Sequence, residues 1–384
     1  MKKQSNQKSE LIDGNTAAAW GARLSRAQVV PNFPITPQTE IIETLAKWKV
    51  DGIWNGEFVG MESEHSVLSA AIASEASGAR TFTASSSQGL LLMHEMHYIA
   101  SGMRMPIVMA NCSRGLSAPI TLWSDHSDIL AIRDAGWIMF FAKDNQEVLD
   151  LIIQSYKIAE DRNVLLPAIV NMEGFTLSYT REPAEIPEQE TADRFLPPYK
   201  PKVFLDVNKP MVLGCPVMNE YMSFKAQQRK AMMNAEEKIN EVFANFGKLT
   251  GRKYSKLEEY MTEDAKTVFV SLGSNSTIIQ SAVDSLRNRK QKVGLLRILC
   301  YRPFPEEEIK KALKNAEKII VVDNDISTGY GGIIYPEIKA AVSDNSKKFI
   351  NVIVSLGGKF IGRKDFEGIA KKAVSEKAEK YWYM

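Results

Sequence analysis

The sequence predicts an α/β protein made of a parallel-sheet domain followed by a smaller α/β domain. Three observations carry this. Short apolar runs alternate with helix-length stretches over residues 28–170, and the alternation returns over residues 266–354. Between them lies a segment broken by Pro183, Pro187, Pro197, Pro198, Pro201, Pro210 and Pro216. Short buried strands alternating with helices indicate parallel sheets covered on both faces. At roughly 150 residues per domain, the 384 residues leave room for two domains.

The elements follow in order. Gln28–Phe33 is a short apolar run stopped by Pro34, and residues 37–49 place Ile41, Ile42, Leu45 and Trp48 at helical spacing. Glu57–Met61 reads as a strand, 64–77 as a helix, Arg80–Ala84 as a strand and 88–103 as one helix. Pro106–Ala110, Trp137–Ala142 and Leu165–Val170 read as strands, with a helix over 145–161. The proline-rich residues 181–220 read as an extended connector, and 222–262 as a charged helical linker. In the second domain Lys266–Leu272, Val293–Leu299, Lys318–Asp323 and Phe349–Val354 are strands; helices run to about Arg289 and over 305–315 and 331–342.

Composition excludes several functions. Lys+Arg number 48 and Asp+Glu 46, a balance that gives no pull toward nucleic acid or anionic membrane. The start, MKKQSNQKSELIDGN, has no apolar core of signal-peptide length, and no stretch of about 18 apolar residues occurs. The three cysteines, Cys112, Cys215 and Cys300, lie far apart. They form no CxxC pair and are too few for a four-thiolate iron–sulfur cluster. Four scattered histidines argue against a metal site on this chain, although His94 and His97 are spaced to share a helix face. The expected compartment is the reducing cytoplasm.

Ligands of open parallel sheets bind beyond the carboxyl ends of the strands. After the first strand stands Phe33-Pro34-Ile35-Thr36-Pro37. Pro37 suits a first helical position with Thr36 as cap, which would make the segment structural. After the next strand stands Met61-Glu62-Ser63-Glu64-His65. One carboxylate there can favour the helix N-terminus, and a buried one can transfer or share a proton; the residues alone leave both open. Ser85-Ser86-Ser87-Gln88-Gly89 joins a strand to a helix through small residues, offering close approach and N–H groups to an anion, or simply a cap. Arg114 directly follows an apolar strand. Its guanidinium suits a bidentate carboxylate grip, or an ordinary salt bridge. Cys112 reads as a buried neighbour. Gly273-Ser274-Asn275-Ser276 and Gly329-Tyr330-Gly331-Gly332 match neither GxGxxG nor the P-loop pattern, and Tyr301-Arg302-Pro303-Phe304-Pro305 reads as a structural turn.

Taken together, PNFPITPQT (31–39), MESEHSVLSAAIASEASGARTFTASSSQGLLLMHE (61–95), MRMPIVMANCSRGLSAPI (103–120), RDAGW (133–137), VLLPAIV (164–170), GRKY (251–254), YRPFP (301–305) and DNDISTGYGG (323–332) resemble one family. It is the alpha subunit of the multi-subunit 2-oxoacid:ferredoxin oxidoreductases, above all the pyruvate:ferredoxin oxidoreductases. The resemblance spans nearly the whole chain. It implies a pyrimidine-binding thiamine diphosphate (TPP) domain over 1–250, including the connector, and a transketolase C-terminal-type domain over 251–384. It also implies that Glu64 hydrogen-bonds the aminopyrimidine ring and promotes loss of the thiazolium C2 proton, a task suited to a desolvated carboxyl. Glu62 is then the structural member of the pair. Thr36 matches a threonine beside the substrate, and Arg114 the arginine that holds the 2-oxoacid carboxylate. Ser87, Gln88 and Gly89 would line the cofactor pocket through their backbone. Thr36, rather than a second cation, favours a mono-acid such as pyruvate.

What is missing fits the same family. No Gly-Asp-Gly occurs, so the Mg²⁺–diphosphate half of the cofactor site is expected on a beta subunit. The [4Fe-4S] clusters are expected on partner subunits, with gamma- and delta-type subunits supplying the remaining domains. CoA would take the acyl group and ferredoxin the electrons. Rival expectations are a subunit acting on 2-oxoisovalerate or 2-oxoglutarate, a non-catalytic scaffold subunit, and a self-contained TPP enzyme.

Overall fold

A computed structural model describes residues 7–214, 217–375 and 380–382. The expectations that touched Cys215, Pro216 and the first six residues lie outside them. The N-terminal region runs β1 (Gln7–Ile12), α1 (Gly14–Leu24), β2 (Val29–Asn32), α2 (Thr39–Val50), β3 (Glu57–Gly60), α3 (Glu64–Ala76), β4 (Phe82–Ser85), α4 (Ser87–Leu92), α5 (His94–Gly102), β5 (Val108–Ser113), α6 (Ser127–Ala131), β6 (Ile138–Phe141), α7 (Asn145–Ala159), β7 (Ala168–Glu173), β8 (Glu182–Pro187), α8 (Gln189–Phe195) and α9 (Tyr221–Thr250). The C-terminal region continues with β9 (Leu257–Tyr260), β10 (Thr267–Leu272), α10 (Asn275–Asn288), β11 (Val293–Ile298), β12 (Cys300–Arg302), α11 (Glu306–Ala312), β13 (Lys318–Asp323), α12 (Ile334–Val342), β14 (Lys348–Ile353), α13 (Arg363–Ser375) and β15 (Lys380–Trp382).

The first sheet has the order β12-β6-β7-β5-β4, with β4 to β7 mutually parallel. A parallel pair, β2-β3, adjoins β4 through the bridge Val29–Thr81. The strands are buried runs such as Val108–Ser113 and Ile138–Phe141, as expected of a sheet covered on both sides. Helix α7 lies within this cover; Asp144 caps it by accepting from Glu147 N at 2.8 Å. The second sheet, β15-β14-β13-β10-β11-β9, is parallel except for the edge strand β9.

Several expectations are corrected. The 88–103 helix breaks at Met93, whose carbonyl takes both His97 N (3.1 Å) and His97 Nδ1 (2.9 Å). Because a carbonyl only accepts, Nδ1 carries the proton; burial pushes the His97 pKa down to about 3 and keeps the ring neutral. His97 packs on Trp137 and His94 on Tyr98, so the two are not a ligand pair. The connector 181–220 is partly regular: β8 pairs antiparallel with β1, and α8 follows. The helical linker stops at Thr250, where Gly251 turns left-handed. Helix α1 went unanticipated because its buried face is Ala17, Ala18, Ala19 and Ala22 rather than a stripe of large residues.

The two regions share one core. Val67, Leu68, Met109 and Phe141 belong to the same apolar cluster as Val270, Ile298 and Tyr301. Strand β12 leaves the second region to pair antiparallel with β6, Cys300 opposite Phe140. Arg297 on β11 bonds both oxygens of Glu147 on α7 at 2.8 Å, and Glu258 at 2.8 Å. The parallel registers align the carboxyl ends of β2, β3, β4 and β5 along one rim.

Candidate active site

The residues that the resemblance carries as site residues lie on that rim, each beyond a strand. Thr36 follows β2, Glu64 follows β3, Ser87, Gln88 and Gly89 follow β4, and Arg114 follows β5. Thr36 is not a helix cap. Helix α2 begins at Thr39 with Gln38 at its cap position, and Gln38 N bonds Ile35 O at 2.9 Å to close a turn. The side chain of Gln38 bonds Phe33 O at 2.9 Å, and Asn15 bonds Pro37 O at 2.9 Å. The loop is thus fixed from beneath while Thr36 stays exposed.

The two carboxylates after β3 separate by environment. Glu62 is exposed and accepts from Ser66 Oγ, which holds its pKa below the usual carboxylate value. Ser63 caps α3 by accepting from Ser66 N at 3.3 Å. That leaves Glu64, only 7% exposed, with no capping duty. No hydrogen bond to its carboxyl is made among the described residues. Neither of its oxygens is among the sealed polar atoms without a partner, so the carboxyl opens toward the rim, where a group from outside the chain can reach it.

Gly89 makes that carboxyl's position possible. A Cβ on Gly89 would stand 2.5 Å from Glu64 Oε1 and 2.9 Å from its Cδ. The bare backbone of α4 therefore packs directly on the carboxyl. Ser87, at φ 50°, opens this helix in the left-handed region. Its Oγ stands 2.9 Å from Gly115 O and 2.6 Å from Gln88 Oε1, and its one proton serves either acceptor. Two N–H groups of this loop are engaged within the chain: Ser87 N by Asp128 at 2.8 Å, and Gly89 N by Ser86 O at 2.9 Å. The Gln88 side chain accepts from Arg114.

Arg114 is 6% exposed. It donates to Thr36 O at 2.7 Å and to Gln88 Oε1 at 2.8 Å. No carboxylate forms an ion pair with it among the described residues, and burial lowers its pKa, with Asp128 acting the other way. Arg114 Nε and Gln88 Nε2 are buried without partners. A guanidinium without a carboxylate partner, with one idle N–H of its own and another on the neighbouring Gln88 amide, fits a bound anion, and a carboxyl without a partner under bare backbone fits a ring nitrogen. Cys112 is buried and its thiol is pushed up by burial, unsuited to nucleophilic work.

Residues the sequence did not reveal organise this rim. Asp128 accepts from both Ser87 N and Arg114 N. His126 bonds Glu173 at 3.0 Å, and its N–H bonds Asn324 O at 2.7 Å. Glu173 also accepts from Ser274 N at 2.9 Å, so the Gly273-Ser274 turn serves the contact between regions. The only signal was the polar cluster Ser124-Asp125-His126-Ser127-Asp128, with three titratable groups, running into the short helix α6.

The chain matches two family models. Residues 21–244 match "Pyruvate flavodoxin/ferredoxin oxidoreductase, thiamine diP-bdg", and residues 265–366 match "Pyruvate:ferredoxin oxidoreductase core domain II". It is 42% identical over 374 residues to the pyruvate synthase subunit PorA of Methanothermobacter thermautotrophicus, covering 97% of each chain. With PorA of Methanocaldococcus jannaschii the identity is 45% over 375 residues, covering 96% and 95%. The ketoisovalerate oxidoreductase subunit VorA of Pyrococcus furiosus is 41% identical over 385 residues, covering 97% of each. Among solved structures, the 2-oxoglutarate:ferredoxin oxidoreductase of Magnetococcus marinus matches with a TM-score of 0.73 and 19% identity. That match covers 97% of this chain and 66% of the other.

Fold and site thus define a thiamine-diphosphate-type α/β protein. The chain belongs to the pyruvate:ferredoxin oxidoreductase family.

Proposed function

We propose that this chain is the alpha subunit of a pyruvate:ferredoxin oxidoreductase, active only when assembled with its partner subunits. The observation that carries the reading is a buried Arg114 with no carboxylate partner and an idle Nε, joined through Gln88 to the loop whose Gly89 packs on the Glu64 carboxyl, on a chain similar to PorA subunits along nearly its whole length. The reaction is pyruvate, CoA and two oxidised ferredoxins giving acetyl-CoA, CO₂, a proton and two reduced ferredoxins. When bound, TPP would supply carbanion and electron-sink chemistry for the 2-oxoacid. Glu64 is the catalytic residue of this chain: it holds the proton shared with the aminopyrimidine ring. Gly89 keeps its carboxyl in place, and Ser87 and Gln88 complete the wall. Arg114 and Thr36 seat the substrate carboxylate and so aim its ketone carbon.

The proposal extends to architecture and partners. The pyrimidine-binding unit spans residues 1–250 and the transketolase C-terminal-type unit 251–384. A beta subunit brings Mg²⁺ and the diphosphate site, and gamma- and delta-type subunits bring the remaining domains and the [4Fe-4S] clusters. The complex works in the cytoplasm; among the described residues no helix is long and apolar enough to cross a membrane. The test is the purified complex assayed with pyruvate, 2-oxoisovalerate and 2-oxoglutarate in the presence of CoA and ferredoxin. Preference for pyruvate supports the reading; preference for 2-oxoisovalerate gives the chain the activity named for the VorA relatives. Unchanged turnover in Glu64→Ala removes the catalytic role.

A further inference from the structure

The geometry points to Asp128 as a positioning residue that sets the substrate-holding arginine and the wall over the catalytic carboxyl in one fixed relation. This rests on the roles proposed for Glu64 and Arg114. Asp128 is fully buried, one residue inside the short helix α6. Its Oδ2 accepts from Ser87 N at 2.8 Å and from Arg114 N at 3.1 Å. Asn111 Nδ2 approaches the same oxygen at 3.4 Å, and Oδ1 accepts from Ile129 N at 2.6 Å.

One oxygen therefore ties together the first residue of α4 and the first residue beyond β5. Both have a local reason to need it. Ser87 sits at φ 50°, a conformation that a non-glycine residue adopts at a cost and keeps only where its surroundings hold it. Two residues on, Gly89 presses on the Glu64 carboxyl. Gln88, between them, gives its Oε1 to Arg114. If Ser87 relaxes, Gln88 and Gly89 move with it, so Arg114 loses a partner and Glu64 loses its wall. No hydrogen bond joins Asp128 to Glu64, and of Arg114 it bonds only the backbone N–H. Its influence on the reaction is through these two.

The placement of Asp128 is itself fixed from outside the loop. His126, at the start of α6, is bonded to Glu173 on β7 and to Asn324 of the second region. The carboxylate is thus held by elements that neither catalytic loop contains.

The experiment uses the assembled complex, with kinetics counted per bound TPP so that loss of folded sites is removed from the result. Asp128→Ala is expected to raise KM for pyruvate about 10-fold and to lower kcat about 10-fold, the scale of sub-ångström misplacement. Combined with Arg114→Ala, its effect on KM should be less than additive, because both act on one grip. A wild-type KM and kcat per site in Asp128→Ala, or full additivity with Arg114→Ala, overturns the proposal. Should Asp128→Ala fail to assemble, Asp128→Asn decides: with one acceptor oxygen left for the four N–H groups of Ser87, Arg114, Asn111 and Ile129, KM should rise about 3-fold or more, and no change overturns the proposal. Arg114→Ala alone tests the underlying reading; an unchanged KM there refutes the role of Arg114, whatever Asp128 does.

Discussion

Gly89→Ala isolates one contact in the site with little disturbance elsewhere. The added Cβ would stand 2.5 Å from Glu64 Oε1 and 2.9 Å from both Cδ and Cγ. Ordinary carbon–carbon contacts lie near 3.5–4.0 Å, so the carboxyl must retreat by about 1 Å. It is the end of a flexible side chain, so it swings away instead of distorting the helix. Stability should change little: an alanine inside helix α4 gains roughly 0.5–1 kcal/mol over glycine, offsetting part of the displacement. Catalysis should change much more, because a 1 Å misplacement costs about 100-fold where geometry governs the rate. The assay is pyruvate-dependent ferredoxin reduction by the assembled complex, with thermal denaturation of the same preparation. The expected result is a kcat about 10- to 100-fold lower, an almost unchanged KM for pyruvate and an unchanged Tm. Wild-type kcat in a stable Gly89→Ala complex would refute the view that the wall over Glu64 matters.

Four further outcomes follow. Arg114→Lys should raise KM for pyruvate about 10-fold or more while changing kcat less, because an ammonium does not replace a planar fork that holds Thr36 O, Gln88 Oε1 and a carboxylate together; an unchanged KM in steady-state kinetics contradicts the assignment. Arg297→Leu takes from buried Glu147 its bidentate partner, leaving it the Lys143 backbone N–H and the Lys143 ammonium at 3.9 Å, and should cost up to roughly 3–5 kcal/mol, seen as a lower Tm and as earlier proteolysis between the two regions. The chain should be less stable at pH 8.5 than at pH 6, read by calorimetry. Burial, with Glu160 adding, pushes Glu75 up to about 8; burial, opposed by the Ser87 N–H and aided by Asp125, pushes Asp128 up to about 7. Burial alone would lower His126, but its bond to Glu173 raises it. Each binds its proton more tightly folded than unfolded, so stability is full at low pH and is lost as pH rises through these values; a Tm that climbs over that interval refutes the sign. Finally, the isolated chain with TPP and Mg²⁺ should show no pyruvate oxidation, and turnover by it alone would make it a self-contained enzyme.

Much of the fold was legible because its strands are unmixed. Thr267–Leu272 and Lys318–Asp323 are β-branched runs buried along nearly their whole length, and no other element suits them. The rim was legible for the same reason, since knowing where strands end locates a ligand site in a parallel sheet. What failed to show depends on partners distant in sequence. Strand β1 is a polar hexapeptide whose pairing waits for β8, more than 170 residues away. Thr36 looked like a cap because Thr-Pro often is one, yet the turn at Ile35–Gln38 delays the helix to Thr39. Asp128 sits in a polar run that reads as surface loop. Its burial becomes visible only when Ser87 and Arg114, 41 and 14 residues away, converge on it.

That convergence explains why the second region is needed beside a site to which it contributes no residue so far identified. Arg114, Glu64 and the 87–89 wall all come from the first region, yet the helix that ties two of them begins at His126. His126 is held by Asn324, and its partner Glu173 by Ser274. At Gly273, φ 59°, any side chain would collide with Glu173 Oε1, so the turn can approach that closely only as glycine. The path runs from the strand ends of the second sheet, through a buried His–Glu pair, to Asp128 and then to both sides of the substrate. If the site is shared with a partner subunit as proposed, a rigid path of this kind suits it: this chain's half must keep one geometry before the partner arrives, because every contact left to be ordered at assembly subtracts from binding.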